Sequence, residues 1–206
     1  MAIFNLPSAT ATSGTAIRKI IPGVANSITR INNLIYTSGS TAHTISILRP
    51  VATTTADTTT ASGGTIINVT SAVTMKAPNS ITPELITAGD YLAWVDSTGK
   101  FQFDTVFGVA SNALTMTATL SISAGQTIWI FGELARATHL TFSPPVSATT
   151  VMPLAAQGGI PGQLDSNSRA GVGDPLIVYS TNVTAAGTIV SVSGEYITDT
   201  SNITMT

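Results

Sequence analysis

Residues that favour β-strands dominate this chain and occur in short alternating runs. Ile, Val and Thr together account for 70 of its 206 residues, and branching at Cβ favours extended backbone over helix. The run Ala113–Leu120 places leucine, methionine and alanine on one parity and three threonines on the other. Such alternation is typical of a strand with one buried face. No segment has the 3.6-residue period of a long amphipathic helix, so the sequence predicts an all-β protein.

Turn-forming residues divide these runs into strands of the length found in sandwiches and small barrels. The segment Asp96–Gly99, for example, is a tight-turn sequence between two predicted strands. Ser27–Thr37 has the pattern of one longer strand, but its apolar residues change parity in the middle. We therefore expect a β-bulge near Asn32 and Asn33, where an extra residue would shift the alternation.

The composition of the sequence changes near Ser80, beyond which the aromatic residues concentrate. Thr82 followed by Pro83 has the pattern of a helix start, and from it we expect one helical turn that ends at Gly89. Four predicted strands follow in quick succession. We expect residues 81–137 to form a small β-barrel-like insertion.

The remaining strands are expected to form one discontinuous domain. Residues 15–80 contain too few strands to close two sheets, and residues 138–206 end in a predicted hairpin. Because each part needs the other to cover its apolar face, we predict that 15–80 and 138–206 form one antiparallel β-sandwich, jelly-roll-like in architecture.

The N-terminal residues 1–14 consist largely of Ala, Ser and Thr, and the sequence predicts an extended N-terminal arm rather than a folded element. Besides Met1, the large apolar side chains of this arm are those of Ile3, Phe4 and Leu6. We expect these three side chains to bind a partner by entering a groove on a neighbouring subunit. The alternative is a terminus that packs on its own domain.

The charge content is too low for a nucleic-acid-binding surface. Charged residues make up 9% of the chain and the formal net charge is -2, whereas nucleic-acid binding needs clustered basic side chains. The longest apolar runs, such as Ile128–Phe131, are much shorter than the roughly 20 residues of a membrane helix. The first residues lack the basic and apolar regions of a signal peptide. We therefore expect no nucleic-acid partner, no membrane partner and synthesis in the cytoplasm.

No combination of residues predicts a reaction, a cofactor or a metal site. The chain lacks the Gly-x-Ser-x-Gly motif of serine hydrolases and the Gly-x-x-x-x-Gly-Lys motif of phosphate loops. It contains no cysteine, and its only histidines, His43 and His139, are too few for a three-histidine metal centre. Asp90 precedes a predicted strand, and Asp96 opens a turn. Asp104 lies on a strand face. We expect no catalytic residue, no cofactor and no metal ligand.

Aromatic residues cluster within the predicted insertion and allow two interpretations. They could form a platform on which sugar rings stack, or they could form the core of the small barrel, since aromatic side chains dominate core energetics. We favour the core. The residues are Tyr91, Trp94, Phe101, Phe103, Trp129 and Phe131.

Three segments share short alternating strands, abundant Ala, Thr, Ser and Gly, and few charges. They are Leu34–Arg49, Ile86–Val106 and Gly171–Tyr196. In its strand pattern and composition the chain resembles virion structural proteins of tailed bacteriophages, and above all head decoration (cement) proteins. The resemblance implies a chain that binds an assembled shell and performs no chemistry.

We accordingly expect a non-enzymatic capsid decoration protein that binds and stabilises the phage head, and that is found in the virion. Its partners would be the major capsid protein or other virion subunits. The apolar content and few charges favour a homo-oligomer, and the three-fold sites of icosahedral shells imply a trimer. Two alternatives stay open, namely a phage tail or receptor-binding component and a carbohydrate-binding or adhesin module.

Overall fold

The computed structural model describes residues 2–6, 9–10, 17–39, 44–70, 75–76, 83–132, 138–143, 147–153, 169–180 and 187–198. Every regular element in these ranges is a β-strand, and the sheets are antiparallel. The described ranges contain no helix long and apolar enough to cross a membrane. The predicted all-β class is confirmed.

The chain divides into two compact units, which we call the sandwich unit and the inserted unit. The sandwich unit comprises residues 1–49 and 138–206. Its strands are β1 (Ala2–Leu6), β2 (Ala9–Thr10), β3 (Ile17–Ile21), β4 (Ser27–Ser38), β5 (Ile45–Leu48), β14 (Thr138–Phe142), β15 (Thr149–Pro153), β16 (Arg169–Val172), β17 (Leu176–Ser180) and β18 (Gly187–Thr198).

The inserted unit comprises residues 50–137. Its strands are β6 (Ala52–Thr55), β7 (Thr60–Asn68), β8 (Met75–Lys76), β9 (Pro83–Glu84), β10 (Tyr91–Val95), β11 (Phe101–Ala110), β12 (Ala113–Ile122) and β13 (Thr127–Gly132). The unit ends at residue 137 as expected, but it begins at Pro50 and not at residue 81. The reason is strand pairing, because β6 bonds to β13 and β7 bonds to β12.

Two sheets form the sandwich unit. One has the strand order β1-β18-β4-β15, with β2 also on β18 and β16 also on β4, and the other has the order β14-β5-β17-β3. Each sheet mixes strands from both ends of the chain. Leu34 and Val192 of the first sheet lie in one hydrophobic cluster with Ile47 and Val178 of the second. The two sheets therefore share a core, as in a sandwich.

The predicted bulge in β4 is confirmed. Burial follows one parity from Ser27 to Ile31 and the opposite parity from Leu34 to Ser38. The pairing with β18 shifts at the same place, so that Asn32 has no opposite residue in the ladder. The bulge keeps one face of this strand buried on both sides of Asn32, with Ile31 before it and Leu34 and Tyr36 after it on the core face.

Along the sequence, the inserted unit interrupts the sandwich unit between two strands that pair with each other. It follows β5 and precedes β14, and these strands pair with each other, with Leu48 opposite Thr138. The chain therefore leaves and re-enters the sandwich unit at adjacent positions.

The six main strands of the inserted unit close on themselves. Their order is β6-β13-β10-β11-β12-β7, and the two outer strands are joined by a bridge between Ala56 and Val69. The amide of Thr70 also donates to the carbonyl of Thr55. Leu92, Trp94 and Ile128 are among the side chains of one internal cluster, so this unit is barrel-like.

The ladder between β11 and β12 opens at one end. Regular pairing includes Val106 opposite Met116 and does not continue towards the start of β11. Beyond that point the carboxylate of Asp104 accepts a hydrogen bond from the amide of Ala118. A side chain therefore satisfies a strand amide where the two strands separate.

The helical turn expected from Thr82 is not found in the described residues that follow it. Pro83 lies in β9, opposite Lys76 of β8. Nearer Gly89, the carboxylate of Asp90 accepts hydrogen bonds from the amide and hydroxyl of Thr87. An aspartate side chain that bonds nearby backbone offers the chain a turn in place of a helix.

Candidate binding surfaces

Phe107 is the most exposed aromatic side chain in the described part of the inserted unit, with 75% of its surface accessible. It occupies a β-bulge, since Val106 pairs with Met116 and Gly108 already pairs with Thr115. A bulge changes the direction of a side chain relative to the regular strand. The sequence pattern did not single out Phe107, because the bulge interrupts the alternation.

Three further apolar side chains are exposed at the same end of the inserted unit. Ile66 is opposite Thr115, the residue that pairs with Gly108 beside Phe107. Leu85 and Val109 line a cavity of about 340 Å³ together with Ile86 and the hairpin tip. We call the set Ile66, Leu85, Phe107 and Val109 the hairpin surface.

The hairpin surface rests on a rigid base. Val109 pairs with Leu114, which in turn pairs with Ile67, and the latter two are fully buried. At the tip, the carbonyl of Asn112 accepts a hydrogen bond from the amide of Val69. Ile66, Phe107 and Val109 are therefore presented by strands, and Leu85 follows directly after β9.

Exposed apolar side chains are unevenly distributed over the described residues. Six large ones are exposed, and four of these six form the hairpin surface. The other two, Ile3 and Val24, belong to the sandwich unit. Ile66 pairs with Thr115 and Val109 pairs with Leu114, so these two side chains lie on opposite faces of the sheet at this end. A concentration of exposed apolar side chains at one end of a unit is characteristic of an interaction site.

A second, polar surface lies where β11 and β12 separate. Here a cleft of about 270 Å³ is lined by the turn after β10, by β12 and by the Ser62-Gly63 region of β7. Its polar side chains include Lys100, Gln102 and Thr119. The cleft offers hydrogen-bond donors and acceptors together with one ammonium group.

Asp96 holds the turn beside this cleft. One carboxylate oxygen accepts hydrogen bonds from the Thr98 amide and hydroxyl and from the Lys100 amide, and the other accepts from Gln102 Nε2. These bonds, foremost that from the Thr98 hydroxyl, lower the pKa of Asp96 to about 2. The carboxylate is therefore ionised at neutral pH and serves to order the turn.

The structure corrects the expectation for the N-terminal arm. Residues 2–6 form β1, an edge strand of the sandwich unit paired with β18, so they are a folded element. Phe4 is buried in the core of its own unit and Leu6 packs against that core. Only Ile3, which is 77% exposed, points away from it. Of the three residues expected to bind a partner, two are thus used within the chain.

The aromatic residues separate onto two faces of the inserted unit. Trp94 is buried in the internal cluster. Across the sheet, Phe101 stacks on Trp129 at 5.3 Å between ring centroids, and Phe103 contacts Phe131 edge-on at the same separation. The core interpretation is confirmed for Trp94. Phe103 and Phe131 are buried on the other face of the sheet, outside that cluster, and Tyr91, Phe101 and Trp129 are half-buried.

The residues considered for chemistry are not brought together where the structure describes them. Asp90, Asp96 and Asp104 each bond to backbone amides near them. No group of three or more His, Cys, Asp or Glu side chains in the described ranges could hold a metal ion. His43 lies outside those ranges, and His139 lies in β14, where its side chain is not described.

Comparison with known proteins found no match: no family model, no curated protein and no solved structure is similar to this chain.

Proposed function

We propose that this chain is a non-enzymatic structural protein of a virus particle, and specifically a decoration protein that binds the head of a tailed bacteriophage. The observation that carries the proposal is the hairpin surface, where four of the six large exposed apolar side chains in the described residues lie at one end of the inserted unit. When another protein covers such a surface, the removal of apolar area from water lowers the free energy of the complex.

The magnitude of that gain is sufficient for stable attachment to a repeating shell. Burying one large apolar side chain contributes about 1.5–3 kcal/mol, and Phe107 and Leu85 are both largely exposed. Each contact on its own is weak, but an oligomer that presents several copies would multiply the effect. The major capsid protein is the proposed partner, and a trimer is the proposed oligomer.

Two further features support the same proposal. Jelly-roll sandwiches, the architecture that the sequence predicts for this unit, occur in viral capsid proteins as well as in lectins, although a fold alone does not define a function. The chain also has few charges, 9% of its residues, so covering its surface desolvates few ionised groups.

The test is to image particles purified from a culture that produces the chain and to compare variants at Phe107 and Val24. Phe107→Ser is expected to weaken attachment about ten- to one-hundred-fold, which corresponds to the loss of one buried aromatic side chain. Val24→Ser is the matched control, since Val24 is an exposed apolar residue of the other unit. Absence of the chain from symmetry positions on the head, or equal attachment of both variants, would contradict the proposal.

A carbohydrate-binding role is the second candidate, and the polar cleft beside Asp96 favours it. Lys100 and Gln102 offer the donors and acceptors that sugar hydroxyls require. A glycan array probed with the isolated protein tests this candidate. Binding that is lost in Lys100→Ala and retained in Phe107→Ser would favour it over shell attachment.

A further inference from the structure

The N-terminal segment follows the edge of β18 in a single register. β1 pairs Leu6 with Val192, and β2 pairs Thr10 with Thr188. From Leu6 to Thr10 the segment advances by four residues, and its partner in β18 moves back by four, from Val192 to Thr188. Ala2–Leu6 and Ala9–Thr10 act as one edge strand, which we call the arm strand.

The arm strand covers an edge that is otherwise open. On its other side β18 pairs with β4 from Gly187 to Thr198, so the arm strand alone bonds to the remaining edge in the described sheet. An exposed strand edge is a template for pairing with another chain. The edge of β18 is thus a built acceptor for an extended segment.

The Phe4 side chain packs over a glycine of this acceptor. Phe4 is opposite Gly194, and a Cβ added at Gly194 would lie 2.6 Å from Phe4 Cζ. The ring also contacts Tyr196, with 5.1 Å between centroids. The acceptor therefore combines backbone pairing with one aromatic pocket, the arrangement by which sheets bind added strands.

The covalent connection of the arm strand does not restrict it to its own chain. It joins β3, a strand of the opposite sheet, through residues 11–16. Six residues span up to about 20 Å, roughly twice the ~10 Å between packed sheets. The first seventeen side chains are uncharged, so transfer to another copy moves no charged side chain.

We propose that the arm strand is exchanged between subunits, so that the β18 edge and the Gly194 pocket of one copy receive residues 2–10 of a second copy of this chain. The inference rests on the proposed role as an assembling particle protein and names the contact that joins its subunits. Every hydrogen bond and apolar contact of the arm strand is preserved in the exchange, which is why exchanging an identical element between subunits is a low-cost route to oligomers.

The absence of cysteine from the chain makes this exchange directly measurable. Asn5 and Ser193 are opposite each other on the outer face, and opposite residues of antiparallel strands lie within disulfide distance. Asn5→Cys and Ser193→Cys, made in separate chains, are denatured, refolded together and oxidised. We expect a cross-linked dimer of the two variants on a non-reducing gel. The control replaces Ser193→Cys by Ser123→Cys, which lies in an exposed turn of the inserted unit.

A dimer several-fold above the control supports exchange. The double variant Asn5→Cys with Ser193→Cys shows whether the pair can close at all. Closure of the double variant within one chain, with no dimer above the control in the mixed sample, would overturn the proposal. Since this assay uses isolated protein, its failure leaves particle attachment to be judged separately, and loss of attachment would leave an observed exchange intact.

Discussion

The sandwich unit and the inserted unit reach an all-β fold by different routes. In the sandwich unit the first strand pairs with the last, β1 with β18. In the inserted unit β10, β11 and β12 pair in sequence order. Pairing strands that are far apart in sequence costs more chain entropy before the contacts form. The pairing of β1 with β18 spans nearly the whole described chain, whereas the most distant pairing of the inserted unit, β6 with β13, stays within that unit.

The two units can be followed separately in one experiment. Both tryptophans of the chain, Trp94 and Trp129, lie in the inserted unit. Tryptophan fluorescence therefore reports on that unit, while hydrogen exchange of the β4 and β18 amides reports on the sandwich unit.

The largest expected effect is on the core of the inserted unit. Trp94→Ala removes its largest fully enclosed side chain and should lower the free energy of unfolding by about 3–5 kcal/mol, measured by denaturant titration with Trp129 fluorescence. Trp94→Phe is the control, because Trp94 Nε1 has no hydrogen-bond partner within the described residues, and it should cost much less. An equal loss in both variants would show that the indole is not packed as described.

The corresponding change in the sandwich unit is Leu34→Ala. Leu34 is fully buried between the sheets, so we expect a loss of about 2–5 kcal/mol, seen first as faster exchange of the β4 and β18 amides. Leu34→Met keeps most of the volume and should cost less than about 1.5 kcal/mol. If Leu34→Ala shifted only the tryptophan signal, the division into two cores would be wrong.

A smaller loss of unfolding free energy is expected in β1, the edge strand of the sandwich unit. Phe4→Ala should cost about 1.5–3 kcal/mol, the value of one buried apolar side chain, because an edge strand can separate without opening the rest of the core. Ile3→Ala, on the exposed face of the same strand, should stay within about 0.5 kcal/mol. Thermal unfolding measures both, and similar values for the two variants would contradict the burial of Phe4.

The smallest effect is electrostatic and belongs to the inserted unit. Because the folded-state pKa of Asp96 is lowered to about 2, its contribution is present above the unfolded-state pKa, roughly 4, and is lost as the pH falls towards 2. Asp96→Asn should therefore lower the melting temperature slightly at pH 6 and flatten its change between pH 5 and 2. A variant that keeps the acid dependence of the parent protein would rule out this assignment.

Local patterns in the sequence predicted the features that depend on neighbouring residues. The all-β class follows from alternation, and the bulge at Asn32 follows from a parity change within one strand. The end of the inserted unit at residue 137 was also predicted. These features need no knowledge of which distant segments meet.

The features that sequence reasoning missed depend on distant partners or on broken alternation. Strands β6 and β7 are rich in Thr and Gly, and their place in the inserted unit is set by pairing with β13 and β12. Phe4 is buried because Gly194, at the other end of the chain, leaves room for its ring. Phe107 is exposed by a bulge, which removes the period on which its prediction would depend.

The junction at Leu48 and Thr138 has a consequence for how such a chain can change over evolutionary time. Since these residues are cross-strand partners, a short turn is enough to connect β5 to β14, and the length of what lies between them places no demand on the sandwich ladder. A domain can therefore be inserted, deleted or replaced between β5 and β14 while the strands of the sandwich unit keep their register.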